Sequence, residues 1–149
     1  MELSDELFAR ITELCEEGND FAEQESFSDA VAAFNQAWDL LPEPAVQWEA
    51  ATWILAALGD VYFLSGDQKA AHEKLSLAMH APGAIGNPFL HLRLGQVQFE
   101  LGNEQRAADE LARAYLQEGK KIFEGEDPKY LDFIKGRLRP PEGGWPEGW

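Results

Sequence analysis

The chain has 149 residues and carries 27 Asp or Glu against 12 Lys or Arg, a formal net charge of −15. This length allows one domain or one short repeat array but excludes two full domains, and a hydrophobic content of 45% excludes a disordered acidic tail. The charge repels nucleic-acid phosphates and anionic membranes, so we expect neither as a partner. It favours a basic protein partner, although surface acid can also serve solubility alone.

The hydrophobic and capping patterns predict an all-α fold with seven helices. The helices are expected at residues 4–24, 27–41, 44–64, 68–80, 88–101, 104–123 and 128–137. Ser26, Asp67 and Asn103 are good N-cap residues before the even-numbered helices. Pro42 and Pro44 separate the second helix from the third. After residue 138, the Pro and Gly content excludes a helix.

Three segments share one spacing of small residues. In each, a Gly is followed twelve residues later by an Ala, and then by an apolar residue and a second Ala, four and seven residues further on. The positions are Gly18 and Ala30, Gly59 and Ala71, and Gly95 and Ala107. Small residues here let paired helices approach closely. The pattern resembles the tetratricopeptide repeat (TPR) family, and "ALGDVYFLSGDQKAAHEKLSLAM" is the best match.

The resemblance implies a right-handed superhelix of three helix-turn-helix pairs in one domain, residues 1–138. The repeats fall at about 11–44, 52–85 and 88–121, with a capping helix at 127–137 that packs Tyr130, Phe133 and Ile134 onto the last repeat. A Pro/Gly/Trp-rich tail, 139–149, follows. The glycines lie 41 and 36 residues apart rather than the family's 34. The first insertion falls in LPEPAVQWEA and predicts a longer helix from Pro44 to Leu64.

The resemblance also implies a concave groove lined by fixed positions of each repeat. Those positions predict a partner-binding set of Asn19, Glu23, Trp53, Asp60, Phe63, Phe89, Leu92, Gln96 and Phe99. Aromatic side chains in a concave site are anchors for a protein or peptide, although Trp53 and Phe63 could equally belong to the core. TPR domains that clamp the C-terminal carboxylate of heat-shock chaperones carry basic groove residues. The fifth position of each repeat here holds Cys15, Ala56 or Leu92, none of which is basic, and this argues against that subtype.

Charge is unevenly distributed along the chain. Residues 1–29 hold ten acids and one base, and we expect an acidic pole that includes Glu16, Glu17 and Asp20. Residues 120–139 hold six bases, which form either an ordinary solvated face or a second contact surface for a partner. In the tail, Trp145 and Trp149 would be an apolar liability in water. They are expected to dock in the groove or on a partner, with a disordered end as the alternative.

No catalytic motif is found. His72, His80 and His91 lack zinc-ligand spacing and are expected to be surface or capping residues, and Cys15 is expected to be a structural thiol. We therefore expect no enzyme, no metal and no cofactor. The acidic first residues lack the apolar core of a secretory signal, so a cytoplasmic protein is expected, either a monomer or a weak dimer.

These observations favour a non-enzymatic protein–protein interaction module with a basic partner. One concrete version is an immunity or antitoxin-type protein that caps a cationic toxin, such as a nuclease. The alternative is an adaptor or chaperone that holds an extended peptide in the groove.

Overall fold

The structure, a computed structural model, describes residues 2–138 and Gly143. Within these residues the fold is all-α, as predicted, with seven α-helices, two 3-10 helices and no strand. The α-helices are α1 (Asp5–Glu23), α2 (Phe27–Asp39), α3 (Glu49–Ser65), α4 (Gln68–Ala78), α5 (Pro88–Glu100), α6 (Glu104–Glu118) and α7 (Pro128–Lys135). The 3-10 helices are Ala45–Gln47 and Gly119–Phe123. The chain divides into two compact units, Met1–Ile85 and Gly86–Trp149.

The first unit stacks α1 on α2, α2 on α3, and α3 on α4. Two glycines allow this packing. A Cβ atom at Gly18 would lie 2.7 Å from the Phe34 ring, and one at Gly59 would lie 2.4 Å from Leu75. Both distances are too short for real atoms, so the predicted role of these small residues in close helix approach is confirmed.

The three predicted N-cap residues all lie at helix starts, but only Asp67 makes the side-chain cap hydrogen bond. The Asp67 carboxylate accepts a hydrogen bond from the Ala70 amide at 3.1 Å, the usual N-cap contact. Ser26 and Asn103 occupy the N-cap positions of α2 and α6 but make no side-chain cap bond. The Asn103 amide instead donates to Gln98 Oε1 at 2.7 Å.

The prediction that the third helix begins at Pro44 is wrong. Residues 45–47 form a separate 3-10 turn, and α3 begins at Glu49. Trp48 between them is extended, with φ −92° and ψ 145°. Its buried indole Nε1 donates a hydrogen bond to the Pro42 carbonyl at 2.8 Å. Burying the indole with its N–H satisfied holds this insertion as a turn rather than as a helix.

The second unit stacks α5 on α6, and α7 packs on α6. A Cβ atom at Gly95 would lie 2.7 Å from Leu111, which repeats the small-residue contact of the first unit. The sixth α-helix ends at Glu118 rather than at the predicted Phe123, because Gly119 takes a positive φ of 71°. In α7, Tyr130 and Ile134 are buried, as the capping role predicts.

Of the three histidines, His91 differs from the expectation of a surface residue. It is buried, its Nε2 accepts the Gly86 amide at 3.1 Å, and its Nδ1 lies 2.5 Å from Glu110 Oε2. An amide donor on Nε2 leaves the proton on Nδ1, which donates to the carboxylate.

No helix among the described residues is long and apolar enough to cross a bilayer.

Candidate functional site

The first unit carries most of the negative charge. It holds sixteen Asp or Glu against three Lys or Arg, and thus thirteen of the fifteen net negative charges of the chain. From residue 11 to residue 68 the sequence contains neither Lys nor Arg. Since like charges in one unit add their fields, this unit presents a strongly negative potential to solvent.

The acidic side chains of the first helix pair are available to a partner. All ten carboxylates of residues 2–29 are exposed. The predicted pole residues Glu16, Glu17 and Asp20 recur along α1 at the spacing that places side chains on one helix face, and Glu23 extends the same stripe. Arg10, the base in this segment, pairs with Glu13 at 3.2 Å.

An open cavity of about 720 Å³ lies between the start of α1, the end of the 42–48 turn and the start of α3. Phe8 and Trp53 form one wall. Their rings meet edge to face, with centroids 5.9 Å apart and planes at 81°, and each residue is 45% exposed. Glu2, Asp5 and Glu49 also line the cavity. We call this cavity the aromatic–acidic pocket.

Hydrogen bonds fix the pocket on both sides. The Ser4 hydroxyl accepts the Leu7 amide at 3.2 Å and sets where α1 begins. On the other side, the Thr52 hydroxyl donates to the Pro82 carbonyl at 2.7 Å, and Pro82 and Trp48 both line the cavity. The pocket is therefore built from elements that hydrogen bonds hold in place.

The predicted groove residues of the first unit have different surroundings. Asn19, Glu23 and Trp53 are exposed, whereas Asp60 and Phe63 are half-buried. Trp53 is the residue of this set that lines the aromatic–acidic pocket.

Sequence reasoning missed the other walls of the pocket. Phe8 precedes the first repeat, at 11–44, and Trp48 and Glu49 lie within the insertion that follows it. The available signal was the insertion itself, because seven extra residues that contain a Trp must be placed somewhere on the fold.

In the second unit, the structure corrects two groove predictions. Leu92 is 3% exposed and Gln96 is 0% exposed, so neither is open to a partner. Gln96 Nε2 donates to Glu126 Oε1 at 2.8 Å, and the buried Arg93 donates to the same oxygen at 2.6 Å. The chain's own 126–133 segment thus takes the place predicted for a ligand beside Gln96.

The remaining two groove residues of this unit are more open. Phe89 is exposed beneath the Arg93 guanidinium, 5.2 Å from the ring centroid. Phe99 is half-buried, and its ring packs against Tyr130 at 5.4 Å and Phe133 at 5.1 Å. Phe99 is therefore an internal contact residue of the second unit.

Next to Phe99, a carboxylate receives two donors. The Tyr130 hydroxyl donates to Glu100 Oε1 at 2.6 Å, and Lys129 Nζ lies 2.7 Å from the same atom. Burial alone would raise the pKa of Glu100, but the hydrogen bonds from Lys129 and Tyr130 outweigh it and lower the pKa. Burial and the bond to Glu100 raise the pKa of Tyr130. These groups hold α7 against the end of α5.

Two further predictions concern the tail tryptophans and the single cysteine. Trp145 and Trp149 lie outside the described residues. Cys15 is half-buried, and burial raises the pKa of its thiol. Among residues 2–138, no group of three or more His, Cys, Asp or Glu side chains could hold a metal ion.

Several solved structures that resemble the chain are TPR domains. The Arabidopsis OM64 TPR domain matches with a TM-score of 0.69 at 15% identity, over 89% of this chain and 99% of that one. The Yersinia enterocolitica type III secretion chaperone SycD, solved with a peptide of the translocator YopD, gives 0.67 at 15% identity, over 90% and 93%. The first TPR of Spaghetti (RPAP3), bound to an HSP90 peptide, gives 0.65 at 16%, over 86% and 92%.

The chain therefore has a TPR-like fold, as its repeat pattern indicates. No protein-family model and no curated protein sequence matches it.

Proposed function

We propose that the chain is a non-enzymatic protein-interaction module whose acidic first unit binds a basic protein. In its concrete form the partner is a cationic toxin, such as a nuclease, and the chain is an immunity or antitoxin-type inhibitor in the cytoplasm. The observation that carries the proposal is the exposure of all ten carboxylates of residues 2–29, in a segment with one base.

The physical support is electrostatic. Exposed charges of one sign on one partner speed diffusional encounter with the opposite sign on the other, and salt weakens this effect. A nuclease presents cations where its nucleic-acid phosphates bind. A negatively charged protein surface can cover such a site and exclude the substrate.

The test compares two triple variants, each of which removes three negative charges. The first is Glu16→Gln, Glu17→Gln, Asp20→Asn on α1. The matched control neutralises three exposed carboxylates of the second unit: Asp109→Asn, Glu124→Gln and Asp132→Asn. The partner is recovered by low-salt pull-down and mass spectrometry, and its association rate is measured against salt concentration.

We expect the recovered partner to be basic, and its association with the wild-type chain to slow as salt rises. The α1 triple should associate at least about tenfold more slowly than wild type at low salt, whereas the control should differ by about threefold or less. Equal effects of the two triples, or a rate independent of salt, would refute the proposal.

The second candidate function is an adaptor or chaperone that holds an extended peptide. Peptides bound to two of the TPR structures favour it. The HSP90 peptide of one of them, SRMEEVD, contains three carboxylate side chains and one Arg, and the acidic first unit would repel such a ligand. A peptide held by this chain should therefore be basic or neutral. This function predicts that Trp53→Ala abolishes binding while the α1 triple has little effect.

A further inference from the structure

We propose that the aromatic–acidic pocket receives a cationic side chain of the partner, an arginine or a lysine. This inference rests on the proposed function and names the contact point through which a basic partner is held. Of the pocket residues involved, Trp53 belongs to the predicted groove. The others lie outside it: Glu2, Asp5, Phe8 and Glu49.

The aromatic wall supplies the first part of the argument. Phe8 and Trp53 leave nearly half of their surface in water, although burying such side chains is favourable by about 1.5–3 kcal/mol each. The two rings contact each other edge to face, with centroids 5.9 Å apart. A pair of exposed rings that pack on each other beside a cavity is the form of an anchor site rather than of a solvated surface.

The charge of the pocket selects the occupant. Three carboxylates line it, from Glu2, Asp5 and Glu49, and none of its lining residues is basic. A purely apolar side chain would remove water from these carboxylates without replacing the lost hydrogen bonds. An arginine or lysine side chain satisfies both walls, because its aliphatic stem covers the rings and its charged end meets the carboxylates. A guanidinium also stacks on aromatic faces, so arginine should bind better than lysine.

The experiment uses a synthetic peptide, acetyl-Gly-Arg-Gly-Arg-Gly-amide, with its citrulline counterpart as the neutral control of nearly equal shape. The full chain is labelled with nitrogen-15, and its five tryptophan indole N–H signals are followed during titration at low salt. The Trp53 signal is assigned by its loss in Trp53→Phe. The variants are Phe8→Leu, Trp53→Leu and Glu49→Gln, and Glu17→Gln on the α1 stripe is the control. In Trp53→Leu, which lacks the Trp53 signal, binding is followed by the indole signal of Trp48, which also lines the pocket.

We expect saturable movement of the Trp53 indole signal with the arginine peptide and none with the citrulline peptide. Phe8→Leu and Trp53→Leu should each weaken binding about threefold to thirtyfold, from the usual strength of a cation–π contact. Glu49→Gln should weaken it more than Glu17→Gln does. Circular dichroism and thermal unfolding verify that the variants remain folded, and Glu49→Gln tests the pocket without altering an aromatic ring.

The outcomes separate this inference from the proposed function. If the arginine peptide shifts backbone signals of the α1 stripe but not the Trp53 indole, the pocket proposal is overturned and the acidic binding surface stands. If it shifts no signal at low salt, the pocket proposal is likewise overturned, whereas the proposed function is decided by the salt dependence of the recovered partner's association. Equal movement with the citrulline peptide would overturn the cationic occupant. So would light scattering that shows a wild-type dimer broken by Trp53→Leu, because the occupant would then be a second copy of the chain.

Discussion

Gln96 Nε2 and Arg93 Nη1 donate to one oxygen of Glu126, at 2.8 Å and 2.6 Å, and Arg93 Nη1 also donates to Gln96 Oε1 at 2.6 Å. The three side chains form a closed triangle that joins α5 to the turn before α7. Both donor residues are buried, so the Glu126 carboxylate neutralises a guanidinium that water reaches poorly. The same triangle closes the second unit's predicted groove beside Gln96.

Removing the carboxylate should destabilise the second unit. Glu126→Ala takes away the charge partner of the buried Arg93, and we expect a loss of about 2–3 kcal/mol in the free energy of unfolding. Chemical denaturation measures it. Glu124→Ala, at an exposed position two residues earlier, should change the free energy by about 0.5 kcal/mol or less. Equal effects would mean that the triangle contributes little.

The glycines at helix contacts should not accept a methyl group. Gly59→Ala places a Cβ atom 2.4 Å from Leu75, and Gly95→Ala places one 2.7 Å from Leu111. Each substitution should destabilise by about 1–3 kcal/mol through overpacking. In Gly136→Ala the nearest atom would lie 3.6 Å away and φ is already −75°, so this control should be neutral or slightly stabilising. Thermal unfolding that ranks Gly136→Ala below the other two would contradict this packing.

The Glu100 carboxylate should contribute stability that depends on pH. Its folded pKa lies below the usual value of 4.5, so its contribution is present above that pH and is lost as pH falls through the folded pKa. Glu100→Gln should therefore cost about 1 kcal/mol at pH 7, given partial solvent exposure. The difference from wild type should shrink as pH falls below 4.5 and through the folded pKa. Asp109→Asn is the control, and unfolding curves that keep a constant gap across this range would refute the expectation.

The Cys15 thiol should react slowly. Burial raises its pKa above 9.0, so only a small fraction is thiolate at pH 7.5, and the thiolate is the reactive form. Ellman's reagent should modify the native chain at least about tenfold more slowly than the guanidinium-unfolded chain. Because Cys15 is the single cysteine, the measurement needs no assignment. Equal rates would show that the thiol is open to solvent.

Much of the fold could be predicted from short-range features of the sequence. Helix positions follow from apolar periodicity and N-cap residues, and helix pairing follows from glycines such as Gly18 and Gly95, whose contacts lie 16 residues away at Phe34 and Leu111. The groove positions were less predictable. A repeat pattern assigns Gln96 to an open face, but the pattern carries no information about the Glu126 side chain, 30 residues further along.

Periodicity, caps and charge are local properties, and they were enough to predict an acidic, all-α, TPR-like chain with most of its net negative charge near the start. Three other features became visible in the folded chain alone: Trp48 breaks the third helix, Phe8 contacts Trp53 at a pocket, and residues 126–133 cover part of the predicted groove. Each of these depends on which distant side chains can bury apolar surface and satisfy polar atoms together. That choice is made by packing in three dimensions.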